Sequence, residues 1–424
     1  MSRRPRAAIV VTGSELVRGE RTDLNGPWLA QQALSLGLDP IRIAIVGDAV
    51  SELEDALRDG LRADLMLVSG GLGPTHDDRT VELVARVTGR KLELRPELER
   101  EIEGISRMVA DRLRRPYGDF AAGVRKQAKL PTGAVSIGLV GTAPGSVLDT
   151  GSCAVVVLPG PPGELRRLWP KALEVEAVRR VLERATPPSH RVLRFFGVSE
   201  SAVARALEAA GGDGDGVEAT ICARDFEIHV DLYVEPGSEQ RGEDVAAGLR
   251  EPLGPWLYGD DGRGVESVVL DLLRERGLTL GTAESCTGGL VAARLTAVPG
   301  ASDVFRGSIV AYADEVKAHE LGVPEAVLAK HGAVSAAVAE AMARGARERL
   351  GVDVAVSVTG VAGPGGGTAE KPVGLVYLHA AGPDGELSAE FDLPGDRDAI
   401  RGRSAVSALH LVRRLLTQSR HRHV

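Results

Sequence analysis

Lysine is scarce in this 424-residue chain, with seven lysines against forty-four arginines. A buried lysine can give up its proton and act as a base, which an arginine cannot, so Lys91, Lys126, Lys129, Lys171, Lys317, Lys330 and Lys371 each merit inspection. Cysteine is scarcer still. Cys153, Cys222 and Cys286 lie far apart with no paired spacing, which argues against a disulfide framework or a zinc site and fits a reducing compartment. No apolar run approaches the ~18 residues of a membrane span, and "AAIVV" near the start is too short for a signal-peptide core. Blocks of one charge are missing too: the net charge is -8, the sequence pI is about 5.7, and acidic and basic residues alternate. That pattern argues against a general nucleic-acid or anionic-membrane surface. The locally basic ends, "MSRRPR" and "SRHRHV", read as solvated termini. A cytoplasmic protein is expected, with no membrane contact and no direct nucleic-acid binding.

What is present is ample apolar material, 43% hydrophobic over a length that exceeds one core, so two or three domains are expected. The first segment alternates apolar β-branched runs with helical patterns: "RAAIVVTGSEL", "NGPWLAQQALSLG", "PIRIAIVGD", "VSELEDALRDGLRA", "DLMLVSGGLGPTHDD". Such alternation predicts a parallel sheet covered by helices, with ligands gathering beyond the carboxyl ends of its strands. A second segment, about 185 to 255, carries the alternating "FEIHVDLYVE" and one or two helical patterns, as expected of a small α+β domain. Its His229 is read as a half-exposed structural histidine. The third segment, from about 262, repeats the α/β pattern. The fold class is therefore α/β, with two three-layer α/β/α domains at 1–175 and 262–424 and a small α+β domain at 185–255 between them.

The chemistry-bearing stretch is "TAESCTGG", which follows the strand pattern "LTLG". If "CTGGLVAARLTA" is helical, Ser285 is its N-cap, and the free N–H groups there either cap the helix or hold a developing oxyanion. Downstream, "GSIVAYADEVK" supplies Ser308, Tyr312 and Lys317 in one element. A serine activated by a neutral lysine, with a tyrosine hydroxyl to position the proton, is one known solution to amide hydrolysis. Cys286 is the rival nucleophile, and it would want a histidine partner, for which His319 or His331 is a weak candidate. The loop "TGVAGPGGGT" resembles a phosphate cradle but lacks the Gly-Lys-Ser/Thr ending of a nucleotide-hydrolysing loop, because Pro372 follows Lys371. In the first segment, Gly70, Gly71, Gly73, Thr75, Asp77, Asp78 and Thr80 make a glycine loop opening a helix. Asp77 and Asp78 either complement the helix dipole or join Glu15 and Asp48 around a pocket for a divalent cation and a pyrophosphate.

Taken together, "SGGLGPTHDDRT", "KQAKLPTGA", "VGTAPG" and "LPGPPGEL" resemble the amino-terminal, molybdopterin-binding-like domain of the competence/damage-inducible CinA family. "TAESCTGG", "YADEVK", "GAVS" and "VTGVAGPGGGTAEKPVG" resemble its carboxy-terminal deamidase domain. The resemblance implies hydrolysis of nicotinamide mononucleotide to nicotinate mononucleotide and ammonia, with no cofactor. Ser285 is then the nucleophile, Lys317 the base and Tyr312 the assisting hydroxyl. Thr287, Gly288, Gly289, Ser308, Thr359, Gly360, Gly363, Gly365 and Gly366 would line the substrate pocket. It also implies a KH-like middle domain, a homodimer, a family link to recombination proteins, and a metal-dependent ADP-ribose pyrophosphatase in the first domain, with Asp77 and Asp78 as metal ligands. Two positions depart from the family's pattern, Ser14 where aspartate is usual and Gly138 where asparagine is, and both lie in loops expected to rim that first pocket. The alternative is an adaptor that binds a nucleotide or pterin without turning it over.

Overall fold

The structure is a computed structural model that describes residues 4–418, so half of the first basic end and all of the last lie outside the described residues. The chain divides after Ser189 into two compact units.

The first unit is built on a six-stranded sheet in the order Asp39–Val46, Arg6–Thr12, Leu65–Ser69, Ala154–Leu158, Gly145–Asp149, Val135–Gly138. The first four strands are parallel and the last two antiparallel to their neighbours. The runs "LMLVS" and "AVVVL" are buried at every position, as a central strand covered on both faces requires. Alternate residues feed two separate cores. Ile9, Leu65 and Leu67 pack with Leu29, Leu165 and Trp169, while Val10, Met66 and Val68 pack with Leu53, Leu57 and Leu83.

The second unit contains two sheets. The four-stranded one runs Val217–Arg224, Glu227–Val234, Ser189–Phe196, Leu257–Gly259, and Val230 and Leu232 pack against Val203, Val245 and Leu249 of the helices Glu200–Ala209 and Glu239–Leu253. The five-stranded one runs Phe305–Val310, Leu280–Glu284, Val354–Gly360, Leu375–Gly382, Gly385–Asp392. Its first three strands are parallel and the last two antiparallel. Val354, Val356 and Val358 face the helices Val265–Arg276 and Arg397–Gln418, and Ala283 and Ala355 face Ala336–Leu350. The α/β class and its helix-covered sheets follow the sequence pattern.

His229 differs from its reading. It is buried rather than half-exposed, and donates to Glu227 at 3.1 Å. Glu227 in turn accepts from His410 of the last helix at 2.7 Å, and Phe196 stacks on the His410 ring at 3.8 Å. The period-2 pattern showed His229 on a strand, but the face opposite the domain's own helices is closed by a helix nearly two hundred residues away.

Candidate functional site

In the five-stranded sheet the chain leaves Leu280–Glu284 for a neighbour on one side, Phe305–Val310, and later returns to the other side as Val354–Gly360. Loops diverge at such a switch point and open a crevice beyond the strand's carboxyl end. Ser285 is the next residue. Its N–H donates to the Val358 carbonyl at 2.9 Å, and the Ala311 N–H donates to the Glu284 carbonyl at 2.8 Å, which brings the Ala311–Tyr312 segment alongside. Lys317, only 1% exposed, donates from Nζ to the Tyr312 carbonyl at 3.1 Å and to Asp314 Oδ1 at 3.4 Å. Ser285 is 8% exposed, and the lysine's bonds go to these two oxygens rather than to its hydroxyl. Tyr312 is 61% exposed, and its hydroxyl accepts from Arg397 at 2.9 Å.

Between Glu284 and the next helix the backbone makes a compact turn. Gly288 and Gly289 have φ of 60° and 97°, left-handed values that glycine adopts without strain. The helix begins only at Leu290, so Ser285 is not its N-cap; Gly289 is. The N–H groups at its start are also taken. Glu284 accepts Gly289 and Val291 on Oε2, at 2.9 and 3.1 Å, and Ala292 on Oε1, at 2.9 Å. The Gly289, Val291 and Ala292 donors are therefore closed to an oxyanion, because a buried carboxylate one residue before the serine already accepts them, and only the N–H groups of the preceding turn stay open to that role.

Ser308, expected in the substrate pocket, donates to Glu284 Oε1 at 3.2 Å. Thr359 is buried and donates to the Ala333 carbonyl at 2.8 Å. Gly360 ends its strand where a Cβ would meet Val376 and the Leu375 carbonyl, so packing alone explains that glycine. Gly365 and Gly366 are exposed on the loop, and the Gly363 carbonyl accepts from Arg397 at 2.6 Å. Thr287 is fully buried, and its hydroxyl has no partner.

Two arginines were missed by the sequence reading. Arg397 bridges the Tyr312 hydroxyl and the Gly363 carbonyl. Arg401, one turn on, donates to the Cys286 carbonyl at 3.2 Å and the Thr287 carbonyl at 3.0 Å. The available signal was their placement. Cations in the first turns of a helix oppose its dipole, and a spacing of four puts them on one face, so their positive charge serves something outside the helix.

The thiol alternative finds no support. Burial pushes the Cys286 thiol up to about 11, and Glu284 adds to the shift. His319 pairs with Glu320, and His331 contributes its carbonyl to Lys371. A nucleophilic thiol needs the opposite surroundings.

In the first unit the corresponding switch point follows Arg6–Thr12. A cavity of about 450 Å³ there is lined by Glu15, Arg21, Asp23, Asn25, Ser69 and Gly160, among others. Asn25 ties its walls together, donating to Ser69 Oγ at 2.9 Å and to the Gly160 carbonyl at 2.6 Å. Gly70 and Gly71 admit no side chain, since a Cβ would lie 2.5 Å from the Thr12 carbonyl and 2.2 Å from Thr80 Oγ1 respectively. Thr80 is buried and donates to the Gly70 carbonyl.

The four carboxylates expected around this pocket do not gather. Glu15 lines the cavity, whereas Asp48 accepts both the N–H and the hydroxyl of Ser14, at 3.2 and 2.5 Å. Asp78 accepts the N–H and hydroxyl of Thr75 and packs against Gly73. Asp77 is exposed beside it. Among the described residues no three His, Cys, Asp or Glu side chains form a metal-binding group. A hard cation at Asp77 and Asp78 would draw most of its oxygens from a bound pyrophosphate, so these residues do not constitute a cation site by themselves.

Residues 263–416 match the CinA C-terminal domain family, and residues 8–180 match the family described as the probable molybdopterin binding domain. A CinA-like protein of Mycobacterium marinum is 45% identical over 97% of this chain and 99% of its own length. The chain belongs to the CinA family. Its CinA-like relative from Mycobacterium tuberculosis is 44% identical over 97% of each chain. A solved structure, competence/damage inducible protein CihA from Agrobacterium tumefaciens, is 41% identical and covers 36% of this chain and 94% of its own, at a TM-score of 0.35. Membership of the CinA family covers both units. No helix among the described residues is long and apolar enough to cross a membrane.

Proposed function

We propose that the second unit hydrolyses the carboxamide of nicotinamide mononucleotide, giving nicotinate mononucleotide and ammonia. The substrate comes from the family resemblance. The observation that supports the chemistry is a buried lysine amine on the Tyr312 carbonyl, beside the switch point that carries Ser285. Ser285 Oγ attacks the carboxamide carbon while Lys317 takes its proton. The tetrahedral intermediate carries an oxyanion, and the N–H groups of Cys286 and Thr287 are donors of the turn with no oxygen acceptor among the described residues. Lys317 then gives its proton to the departing nitrogen, and ammonia leaves. Water adds to the resulting ester, Lys317 again accepts the proton, and Lys317 returns it to Ser285 Oγ as the C–O bond breaks. Arg401 holds the 286 and 287 carbonyls and so sets the turn's orientation. Ammonia release from nicotinamide mononucleotide by the purified chain tests this reading, and a Ser285→Ala protein that still releases it sinks the serine mechanism.

For the first unit the cavity walled by Asn25, Ser69 and Gly160 favours binding of a nucleotide or pterin. Metal-dependent ADP-ribose hydrolysis is the further activity proposed there, and it depends on a cation brought in with pyrophosphate at Asp77 and Asp78. Nicotinamide mononucleotide left intact by a folded chain that binds nucleotide here would instead support the adaptor alternative.

A further inference from the structure

Glu284 is among the most densely hydrogen-bonded side chains of the second unit. It is fully buried one residue before the proposed nucleophile, and it accepts five donors. Three are the backbone N–H groups of Gly289, Val291 and Ala292. The other two are the hydroxyls of Thr282 at 3.3 Å and Ser308 at 3.2 Å, both on Oε1. The surrounding backbone is accounted for almost completely: Ser285 N–H goes to Val358, Gly288 N–H to Ser285, Leu290 N–H to Thr287, and the 286 and 287 carbonyls go to Arg401. What remains is the buried, unpartnered Thr287 hydroxyl, and the N–H groups of Cys286 and Thr287, which have no oxygen acceptor among the described residues and meet only the Cys286 sulfur. Buried polar groups are almost always paired. An unpaired hydroxyl and two N–H groups with only a weak sulfur acceptor, all within two residues of Ser285, mark where a polar ligand atom belongs.

We propose that Glu284 is a positioning residue for this site: by drawing the first N–H groups of the Leu290–Thr296 helix onto itself, it shapes the 285–288 turn so that the Cys286 and Thr287 donors receive the tetrahedral oxyanion. The inference rests on the deamidase reading. Glu284 touches neither substrate nor reacting atom. Its effect belongs to the transition state, because only there does the carbonyl oxygen carry the charge those donors recognise.

Glu284→Gln is the test, since it keeps the shape and alters the donor–acceptor balance. With the amide oxygen on Gly289 and Val291, its NH₂ meets the Ala292 N–H donor to donor. Flipped, it meets two N–H groups, whereas the Thr282 and Ser308 hydroxyls can turn and accept. In the full chain, kcat for nicotinamide mononucleotide should fall about tenfold or more while KM stays within about threefold. Two ligands separate positioning from general damage. The 3-carboxaldehyde analogue of the nucleotide adds Ser285 Oγ at its carbonyl carbon, passes the serine proton to Lys317 and leaves an oxyanion; nicotinate mononucleotide forms no such adduct. Glu284→Gln should weaken the aldehyde about tenfold and leave the product's affinity within twofold. If both ligands weaken equally, or kcat stays within twofold, the proposal is overturned and the deamidase reading stands.

Ser308→Ala provides a second readout should Glu284→Gln fail to fold. A hydroxyl that orients Glu284 lowers kcat a fewfold at constant KM, whereas one that binds substrate raises KM, and the latter result counts against the proposal. A wild-type chain that neither deamidates the nucleotide nor binds its aldehyde analogue overturns both the proposal and the reading beneath it.

Discussion

Both three-layer sheets place a polar loop at a switch point, after Arg6–Thr12 in the first unit and after Leu280–Glu284 in the second, yet they fill the crevice differently. In the second, the groups are committed: buried Glu284 to the helix, buried Lys317 to the Tyr312 carbonyl, and half-buried Arg401 to the serine's turn. In the first, Glu15 faces an open cavity while Asp48 and Asp78 are satisfied by the serine and threonine beside them. Topology supplies a crevice in either case. Preorganisation comes from which donors the buried groups have already claimed, and more of them are claimed in the second crevice than in the first.

The largest break in that comparison is expected from Ser285→Ala and Lys317→Arg, each of which should lower deamidation by about a thousandfold or more, as losses of a nucleophile and its base do. Arginine keeps the charge but cannot take the serine's proton. Ligand binding to the first unit should not change in either variant. Lys317→Arg turnover within tenfold of wild type would require a different base.

Arg401→Lys should cost about ten- to a hundredfold in kcat, because a single ammonium cannot hold the 286 and 287 carbonyls as the guanidinium does. The same change made at an exposed arginine of the first unit, Arg42, serves as the contrast and should be silent.

An acid-stability difference is the third expectation. Burial, opposed by Glu227, brings His410 down to about 4 from 6.5. Glu227 itself is brought down to about 2: burial works to raise it, but the bonds from His229 and His410 outweigh burial. His410 is thus neutral at pH 7, donating from Nε2 to an ionised Glu227 and accepting from Arg413 on Nδ1 at 3.3 Å. Because the folded state resists protonating His410, its contribution is complete above about pH 6.5. It falls away as the pH drops toward 4, by on the order of 3 kcal/mol. The Glu227 contribution is present above about pH 4.5 and is lost between there and about pH 2. His410→Gln keeps a donor to Glu227 without titrating, so its melting temperature should change less between pH 7 and pH 4.5 than that of wild type. An unchanged pH profile would remove His410 from this role.

Cys286→Ala should be mild, costing about 1 kcal/mol of stability for a buried side chain and leaving kcat within threefold. The smallest effect on deamidation, none within twofold, is expected from the double change Asp77→Asn with Asp78→Asn, which should abolish metal-dependent ADP-ribose hydrolysis. Hydrolysis that survives this change, or that persists in chelator, would detach those aspartates from the activity.

The two crevices also differ in how legible they were. The buried runs "LMLVS" and "AVVVL" mark central parallel strands by their own composition, and the strand-loop-helix alternation indicated where each sheet's polar loops would lie. Ser285, Tyr312 and Lys317 were legible because they sit within two short motifs, and the pairing of Ala311 with Glu284 brings those motifs together. The gathering of Glu15, Asp48, Asp77 and Asp78 was inferred from loops sharing a rim. A shared rim says nothing of which neighbour satisfies each carboxylate, and for Asp48 and Asp78 the neighbour was a local hydroxyl.

By itself the sequence determined the class of fold, the strands after which polar loops open, and the residue types able to attack and to move a proton, because periodicity and motif chemistry are local properties. Tertiary structure alone decided which donors stay free. Glu284 claims the N–H groups that the helix would otherwise present. Arg397 and Arg401 reach Tyr312 and the serine's turn from 85 and 115 residues away, and Glu227 meets His410 across 183. A sequence states how many donors and acceptors a chain holds. Which of them pair is settled only when packing has removed water as the competing partner.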